Sequence, residues 1–177
     1  MSRAQKIIQI YNAYGSRDYI GEDMTQIEHA LQCAYHAKKY GYDEDIVIAA
    51  LLHDIGHLLP CEELMGSYGV SGHEKKGATF LAELGYNRRI CALVAHHVAA
   101  KRYLCTKDAS YYSKLSEASK RTMKYQGGFM SEKELSDFEK DDYFEDSLKI
   151  RRLDDMGKVV EDMHMYGRME DYSCLLL

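Results

Sequence analysis

The stretch 51–57 carries the residues with the greatest capacity for chemistry. His53, Asp54 and His57 follow the apolar run 46–52, which predicts a buried helix. Burying two imidazoles and a carboxylate is costly unless a partner compensates them, and a metal ion does this well. On a helix, His53 and Asp54 would point about 100° apart, and His57 would share the face of His53. One imidazole could then hold an ion while the carboxylate bridges to a second ion. The alternative is a capped helix end whose polar residues face water.

Further residues of metal-ligand type lie far from this stretch, namely His29, His73, His97 and Asp154. Taken alone, His29 is more typical of a core histidine, because it lies beside the apolar stripe of its predicted helix. His97 and Lys101 are four residues apart and share a helical face. Together these side chains predict a metal centre inside the fold rather than scattered polar positions.

The elements that must position these residues are all predicted to be helices. Apolar spacing, glycines and capping residues predict helices over 3–14, 25–40, 44–59, 73–84, 88–100, 110–125, 131–140 and 144–155. Asp43 and Asn87 are expected N-caps, and Ser131 with Glu134 forms a capping box. No stretch alternates apolar and polar residues as a strand would. We therefore expect an all-α helical bundle with a site in its middle, and a loop over 60–72.

Length and charge limit the possibilities further. A chain of 177 residues predicts a single domain over 1–177, with a core at about 17–158 and a frayed helix or tail over 159–177. The net charge of −5 does not favour a nucleic-acid partner, and no apolar run is long enough for a membrane partner. Five cysteines without a CxxC pair favour reduced thiols in the cytoplasm. We expect a monomer or a weak oligomer.

The order His29, His53-Asp54 and Asp154 resembles the H…HD…D pattern of the HD-domain superfamily, and His73 and His97 resemble the additions of its two-metal subset. Longer motifs resemble one group of it, the mixed-valent diiron oxygenases of organophosphonate catabolism. These motifs are YIGE at 19–22, QIEH at 26–29, AALLHDIGH at 49–57, GHEK at 72–75, HVAAKRYL at 97–104, YQGG at 125–128 and LKIR at 148–151. The resemblance covers about 17–158.

This resemblance implies two iron ions, one ferrous and one ferric, with O2 as co-substrate. The residues matching the ligands of the first ion are His29, His53, Asp54 and Asp154. Those matching the ligands of the second are His73 and His97, with Asp54 bridging, while His96 is expected not to be a ligand. Histidine and carboxylate ligands suit iron, although they also suit manganese or zinc.

The resemblance also implies roles around the substrate. The match to Tyr19 occupies an iron position in the resting enzyme and leaves when substrate arrives, and the match to Glu22 binds the substrate ammonium group. The matches that contact the phosphonate are His57, Lys101, Ser119 and Arg151. The residues expected to take part directly in catalysis are His53, Asp54, His57 and Lys101. Without the resemblance, Lys101 and Arg151 would be interpreted as surface charges.

The implied reaction is cleavage of the carbon–phosphorus bond of a 1-hydroxyphosphonate by O2, which releases phosphate and a carboxylate. Glu22 favours an amine, hence 2-amino-1-hydroxyethylphosphonate giving glycine, although trimethylammonio and hydroxymethyl analogues stay open. Such an enzyme would act downstream of a phosphonate hydroxylase. Two alternatives are a metal-dependent phosphohydrolase acting on a nucleotide or another phosphate ester, and a non-catalytic HD module that only binds a ligand.

Overall fold

Helices form the framework of the computed structural model, which describes residues 1–19, 21–60, 71–160 and 163–177. The helices are α1 (Arg3–Tyr14), α2 (Gln26–Lys39), α3 (Glu44–Leu52), α4 (His73–Glu83), α5 (Arg88–Lys107), α6 (Ala109–Lys114), α7 (Glu117–Tyr125), α8 (Glu132–Glu139) and α9 (Phe144–Met156). Short 3-10 turns span Ile55–His57, Met163–Tyr166 and Met169–Tyr172. The described ranges contain no β-strand, which confirms the all-α prediction, and none of their helices is long and apolar enough to cross a membrane. Most of the predicted loop 60–72 lies outside the described residues.

Local capping chemistry sets several helix starts where the sequence predicts them. The side chains of Asp43 and Asn87 accept hydrogen bonds from the backbone N–H groups of Ile46 and Ile90, at 3.2 and 3.0 Å. At the start of α8, Ser131 forms the predicted capping box. These side chains satisfy backbone donors that the first turn of a helix leaves without partners.

Helix α3 lies at the centre of the bundle. It packs against α2, α5 and α9, and every residue from 46 to 52 is buried. A helix that is apolar on all sides is stable only when other elements surround it. Because α3 is enclosed in this way, the residues that follow Leu52 begin in the interior of the protein.

The predicted extension of α3 to residue 59 is wrong, because the α-helix ends at Leu52 and a 3-10 turn follows. The backbone of Gly56 lies against the start of α4, where a Cβ atom would come within 2.0 Å of the His73 carbonyl oxygen. This close approach of a distant segment accompanies the departure from α-helical geometry. His53 and His57 consequently do not share a helical face as the sequence predicted.

Two other helices differ in length from the prediction. Helix α5 continues to Lys107 instead of ending near residue 100. The predicted helix over 110–125 is divided at Leu115, whose extended backbone (φ −62°, ψ 147°) separates α6 from α7. This break gives α7 its own N-cap, Ser116, whose side chain accepts from the backbone N–H of Ser119.

The C-terminal segment is not the frayed helix or tail that the sequence predicted. Tyr166, Met169, Tyr172 and Leu176 are buried and belong to the main hydrophobic core. The hydroxyl of Tyr86 donates to the Leu176 carbonyl oxygen at 2.9 Å. Acidic and polar residues lie between these positions, so the segment shows no helical spacing of apolar residues in the sequence. The burial of its apolar side chains is apparent only from the tertiary packing.

This packing predicts that Met169→Ala lowers the free energy of unfolding by about 2–5 kcal/mol, as for other buried large-to-small substitutions. Met169 is 1% exposed, whereas the nearby Met165 is 54% exposed. Met165→Ala is therefore the matched control and should change stability little. Denaturant titration of both variants measures the difference, and equal stabilities would contradict the placement of this segment in the core.

Candidate metal centre and adjoining pocket

Asp54 lies between two pairs of histidines, and each carboxylate oxygen faces one pair. Its Oδ2 is 3.3 Å from Nε2 of His53 and 3.7 Å from Nε2 of His29. Its Oδ1 is 3.3 Å from Nε2 of His73 and 3.4 Å from Nε2 of His97. A single carboxylate placed in this way can bridge two cations.

Hydrogen bonds to the backbone orient three of these imidazoles. In each, Nδ1 is 2.8 Å from a carbonyl oxygen: His29 with Gly157, His53 with Ala50, and His97 with Val94. A carbonyl oxygen can only accept, so Nδ1 carries the proton and Nε2 presents a lone pair in the neutral ring. This orientation of histidine by a backbone carbonyl is typical of metal ligands.

Within each histidine pair the two Nε2 atoms lie close together, an arrangement that is stable only with a proton or a metal ion between them. Nε2 of His29 is 3.2 Å from Nε2 of His53, and Nε2 of His73 is 3.0 Å from Nε2 of His97. Two imidazole lone pairs directed at each other repel unless a proton or a metal ion lies between them. Metal–nitrogen bonds of about 2.1 Å place neighbouring ligands about 3 Å apart, so the residues present fit two metal ions.

Asp154, on α9, adds a second carboxylate to the first pair. Its Oδ1 is 3.5 Å from Nε2 of His29, and its Oδ2 accepts a 2.5 Å hydrogen bond from Arg151. The ammonium of Lys158 is 3.2 Å from Oδ1. Burial alone would raise the pKa of Asp154, but the charges of Arg151 and Lys158 hold that pKa well below its usual range. The carboxylate is therefore ionised and available to a metal.

Cys33 is a neighbour of this centre that the sequence did not single out. Its Sγ lies 3.7 Å from Nε2 of His29, one helical turn earlier on α2. Burial, followed by the charges of Asp154 and Asp54, raises the pKa of the Cys33 thiol well above its ordinary value. The Cys33 thiol nevertheless lies close enough to His29 and His53 to form with them a group that could hold a metal ion.

A pocket opens from the oxygens of Asp54 and contains every residue that the sequence assigned to substrate. These residues are Tyr19, Glu22, His57, Lys101, Ser119 and Arg151. Other polar residues of its wall were missed by sequence reasoning, namely Gln26, Thr122, Gln126 and Lys158. Lys158 follows Asp154 by four residues, and this spacing is the one signal that could have found it.

Two rings cover the histidines from the pocket side. Tyr19 stacks on His29 with ring centroids 4.0 Å apart, and its hydroxyl is 3.5 Å from Oδ1 of Asp154. His57 stacks on His73 at 3.9 Å. Burial and the neighbouring imidazole of His73 lower the pKa of His57 to about 3, so this ring is neutral. Tyr19 thus lies beside the first histidine pair and His57 beside the second.

Lys101 and Arg151 are buried, which overturns their interpretation as surface charges. The Lys101 ammonium donates to Oγ1 of Thr122 at 3.1 Å, and burial followed by the charge of Arg151 lowers its pKa to about 7. Nε of Arg151 donates to the Tyr111 hydroxyl at 2.8 Å, and its Nη atoms bond Asp154 and Asp155. The guanidinium is firmly held, while the ammonium retains N–H donors for a ligand.

His96 lies outside this arrangement. Its Nδ1 is 3.5 Å from Oγ of Ser147 and 3.7 Å from Oδ1 of Asp141, and its ring meets Phe138 edge-on. The ring is partly exposed, with 27% of its side-chain surface accessible. The neighbouring His97 is therefore the histidine of this pair that faces Asp54.

Comparison with known proteins identifies the family of the chain. The HD domain model matches residues 27–124, more than half of the chain. The chain is 39% identical over 155 residues to a [1-hydroxy-2-(trimethylamino)ethyl]phosphonate dioxygenase (glycine-betaine-forming) of Leisingera caerulea, covering 84% of this chain and 76% of that protein. It is 37% identical over 180 aligned positions to the hydroxymethylphosphonate dioxygenase of Gimesia maris, covering 98% and 88%.

A further relative is an uncharacterized protein of Acanthamoeba polyphaga mimivirus, 44% identical over 157 residues, which cover 87% of this chain and 72% of that protein. With a matching domain model and two named relatives of this extent, the chain belongs to the HD-domain family of phosphonate dioxygenases.

The shared carboxylate predicts that Asp54→Ala loses at least one metal ion, because one oxygen of Asp54 faces each histidine pair. Elemental analysis of protein purified from iron-supplemented cells measures the content per chain. His96→Ala is the control and should retain the wild-type content, since that ring lies outside the centre. Two ions per chain in Asp54→Ala would contradict the bridging arrangement.

Proposed function

We propose that this protein is an iron-dependent oxygenase that uses O2 to cleave the carbon–phosphorus bond of a 1-hydroxyphosphonate. The observation that carries the proposal is the position of Asp54, which links two histidine pairs and borders a pocket containing Lys101. Such a centre suits metal chemistry, and such a pocket suits a small anion. The names of the two dioxygenase relatives support this reaction class over phosphate ester hydrolysis.

In this proposal one iron is held by His29, His53, Asp54 and Asp154. The second is held by His73 and His97, with Asp54 shared. A ferrous–ferric pair bound there supplies the O2 activation and the electron transfer. Tyr19, stacked on His29 beside Asp154, covers the first position in the resting protein and moves aside for substrate.

The pocket residues then bind and orient the substrate. Lys101 is buried and has donors to spare, so it neutralises the phosphonate at close range. Arg151 is fixed by Asp154 and Asp155, which keeps its positive charge at one place in the wall. Ser119 adds a neutral donor, and His57 presents a neutral ring. Fixed donors of this kind require little reorganisation during the reaction.

Glu22 is the residue that favours one particular substrate in this proposal. Its carboxylate lines the pocket and forms no hydrogen bond or ion pair with another side chain in the described part of the protein. A carboxylate in this position favours a ligand with an ammonium group, hence 2-amino-1-hydroxyethylphosphonate, with glycine and phosphate as products. The 1-hydroxyl group must be installed beforehand, so the enzyme acts after a phosphonate hydroxylase.

The first expected outcome is phosphate release from 2-amino-1-hydroxyethylphosphonate by iron-loaded protein in air and none under strict anaerobiosis. Glycine and O2 uptake should match the phosphate, because O2 is consumed in the cleavage. The trimethylammonio and hydroxymethyl analogues tested in parallel define the substrate range. Oxygen-independent hydrolysis of phosphate esters, with no turnover of any phosphonate, would instead establish a phosphohydrolase.

The second expected outcome concerns the ammonium group. Glu22→Gln should raise the KM for the amine substrate by about 10- to 100-fold, as for loss of a hydrogen bond to a charged group worth about 1.5–3 kcal/mol. The KM for hydroxymethylphosphonate, which lacks the ammonium, should change little. Asp23→Asn is the control, because it removes the same charge from the exposed neighbouring residue. Equal effects of Glu22→Gln on both substrates would remove the reason for preferring the amine.

A further inference from the structure

The end of α9 and the residues after it lie beside the first histidine pair, His29 and His53. The carbonyl oxygen of Gly157 is 2.8 Å from Nδ1 of His29. Asp154 lies in the last turn of α9, and the ammonium of Lys158 is 3.2 Å from its Oδ1. The segment 154–158 therefore supplies this half of the centre with a carboxylate, a neighbouring cation and the carbonyl group that orients an imidazole.

Burial of apolar side chains does little to hold the end of this segment in place. Helix α9 ends at Met156, and residues 158–160 lie outside the helices. The side chains of Val159 and Val160 are 46% and 65% exposed. Irregular backbone with few buried apolar groups opens easily unless hydrogen bonds restrain it. The position of the segment therefore depends on the groups that bind its backbone.

Gln32 of α2 binds this backbone with both ends of its side-chain amide. Its Nε2 donates to the Val159 carbonyl oxygen at 2.8 Å, and its Oε1 accepts from the Val159 N–H at 3.2 Å. Two residues of adjacent antiparallel strands exchange the same pair of hydrogen bonds. Gln32 is completely buried and follows His29 by three residues, so both lie on one face of α2.

The backbone of Gly157 lies directly against the same face of α2. A Cβ atom at this position would overlap Sγ of Cys33 and lie 3.2 Å from Nδ1 of His29. Because glycine has no side chain, its carbonyl group can approach the imidazole this closely. The segment is thus docked on α2 at two points, by close contact at Gly157 and by the amide of Gln32 at Val159.

We propose that Gln32 is a positioning residue that keeps the Gly157 carbonyl oxygen on Nδ1 of His29. The proton then stays on Nδ1, and Nε2 presents its lone pair to the first metal ion. Gln32 acts through the segment that it binds and has no contact with the ion itself. The inference rests on the proposed function, which supplies the metal ions.

The other imidazoles do not depend on this segment for their orientation. Nδ1 of His53 is 2.8 Å from the carbonyl oxygen of Ala50, and Nδ1 of His97 is 2.8 Å from that of Val94. Each of these carbonyl groups lies three residues before its histidine, whereas the one that orients His29 lies 128 residues away. Displacement of the segment should therefore weaken binding of the first ion and spare the second.

Two variants test this selectivity. Gln32→Met keeps the length of the side chain and removes both hydrogen bonds to Val159. It should weaken binding of one iron ion per chain by about 10- to 100-fold, as for loss of a group that orients a metal ligand, and leave the other ion unchanged. Gly157→Ala displaces the same segment without altering Gln32 and should have the same selective effect. The controls are Gln9→Met, the same replacement at an exposed position, and Met169→Ala, which lowers overall stability.

The first measurement is chelator competition of iron-loaded full-length protein under anaerobic conditions. The ions retained per chain are counted at rising chelator concentration, and both controls should retain two ions as the wild type does. The second measurement is proton–nitrogen NMR of protein loaded with Zn2+, which reports each Nδ1–H separately. Gln32→Met should lose the protected Nδ1–H signal of His29 and keep those of His53 and His97.

The outcomes that contradict the inference are distinct from a failure of the proposed function. Retention of both ions at wild-type chelator concentrations, by Gln32→Met or by Gly157→Ala, would overturn it. Equal weakening of both ions with loss of all three Nδ1–H signals would also overturn it, because general destabilisation has that effect. Wild-type protein that binds two ions but turns over none of the three phosphonates would contradict the proposed function alone.

Discussion

The placement of Asp54 between two histidine pairs is the constraint on which the rest of the structure depends. An ionised carboxylate and four imidazoles are buried together, and burial of such groups is unfavourable without compensating charge. The imidazoles come from α2, the end of α3, the start of α4 and the middle of α5. The candidate metal centre can form only when these segments meet. The geometry of the site therefore depends directly on the long-range packing of the helices.

The cations near the candidate metal centre differ in whether they are paired with a carboxylate, and this difference affects the pocket. Asp154 is neutralised by Arg151 and Lys158, which lie 2.5 and 3.2 Å from its oxygens. Lys101 has no carboxylate partner among the described residues and is hydrogen-bonded to a threonine. Arg151 and Lys158 therefore support a candidate metal ligand, while Lys101 is the cation with donors available. Under the proposed function, anion binding would then fall chiefly to Lys101, with help from Ser119 of α7.

The two named relatives indicate where selectivity resides. Their printed names give different phosphonates, one with a trimethylamino group and one with only a hydroxymethyl group. Both names describe phosphonates with a hydroxyl group on the carbon next to phosphorus, so the two substrates differ at the other end of the molecule. The proposed discrimination therefore belongs to the pocket wall, where Glu22 would recognise the tail. Lys101 would recognise the phosphonate that all three substrates share.

The sequence by itself determined the helical fold and several N-caps, because apolar periodicity and capping depend on residues close together in the chain. It also supplied the list of imidazoles and carboxylates that tertiary packing brings around Asp54. Only the tertiary structure decided that α3 ends at Leu52, where Gly56 meets the backbone of α4, and that Met169 and Leu176 complete the core. It alone showed that Lys101 and Arg151 are buried. These features depend on contacts between distant segments, which local patterns do not record.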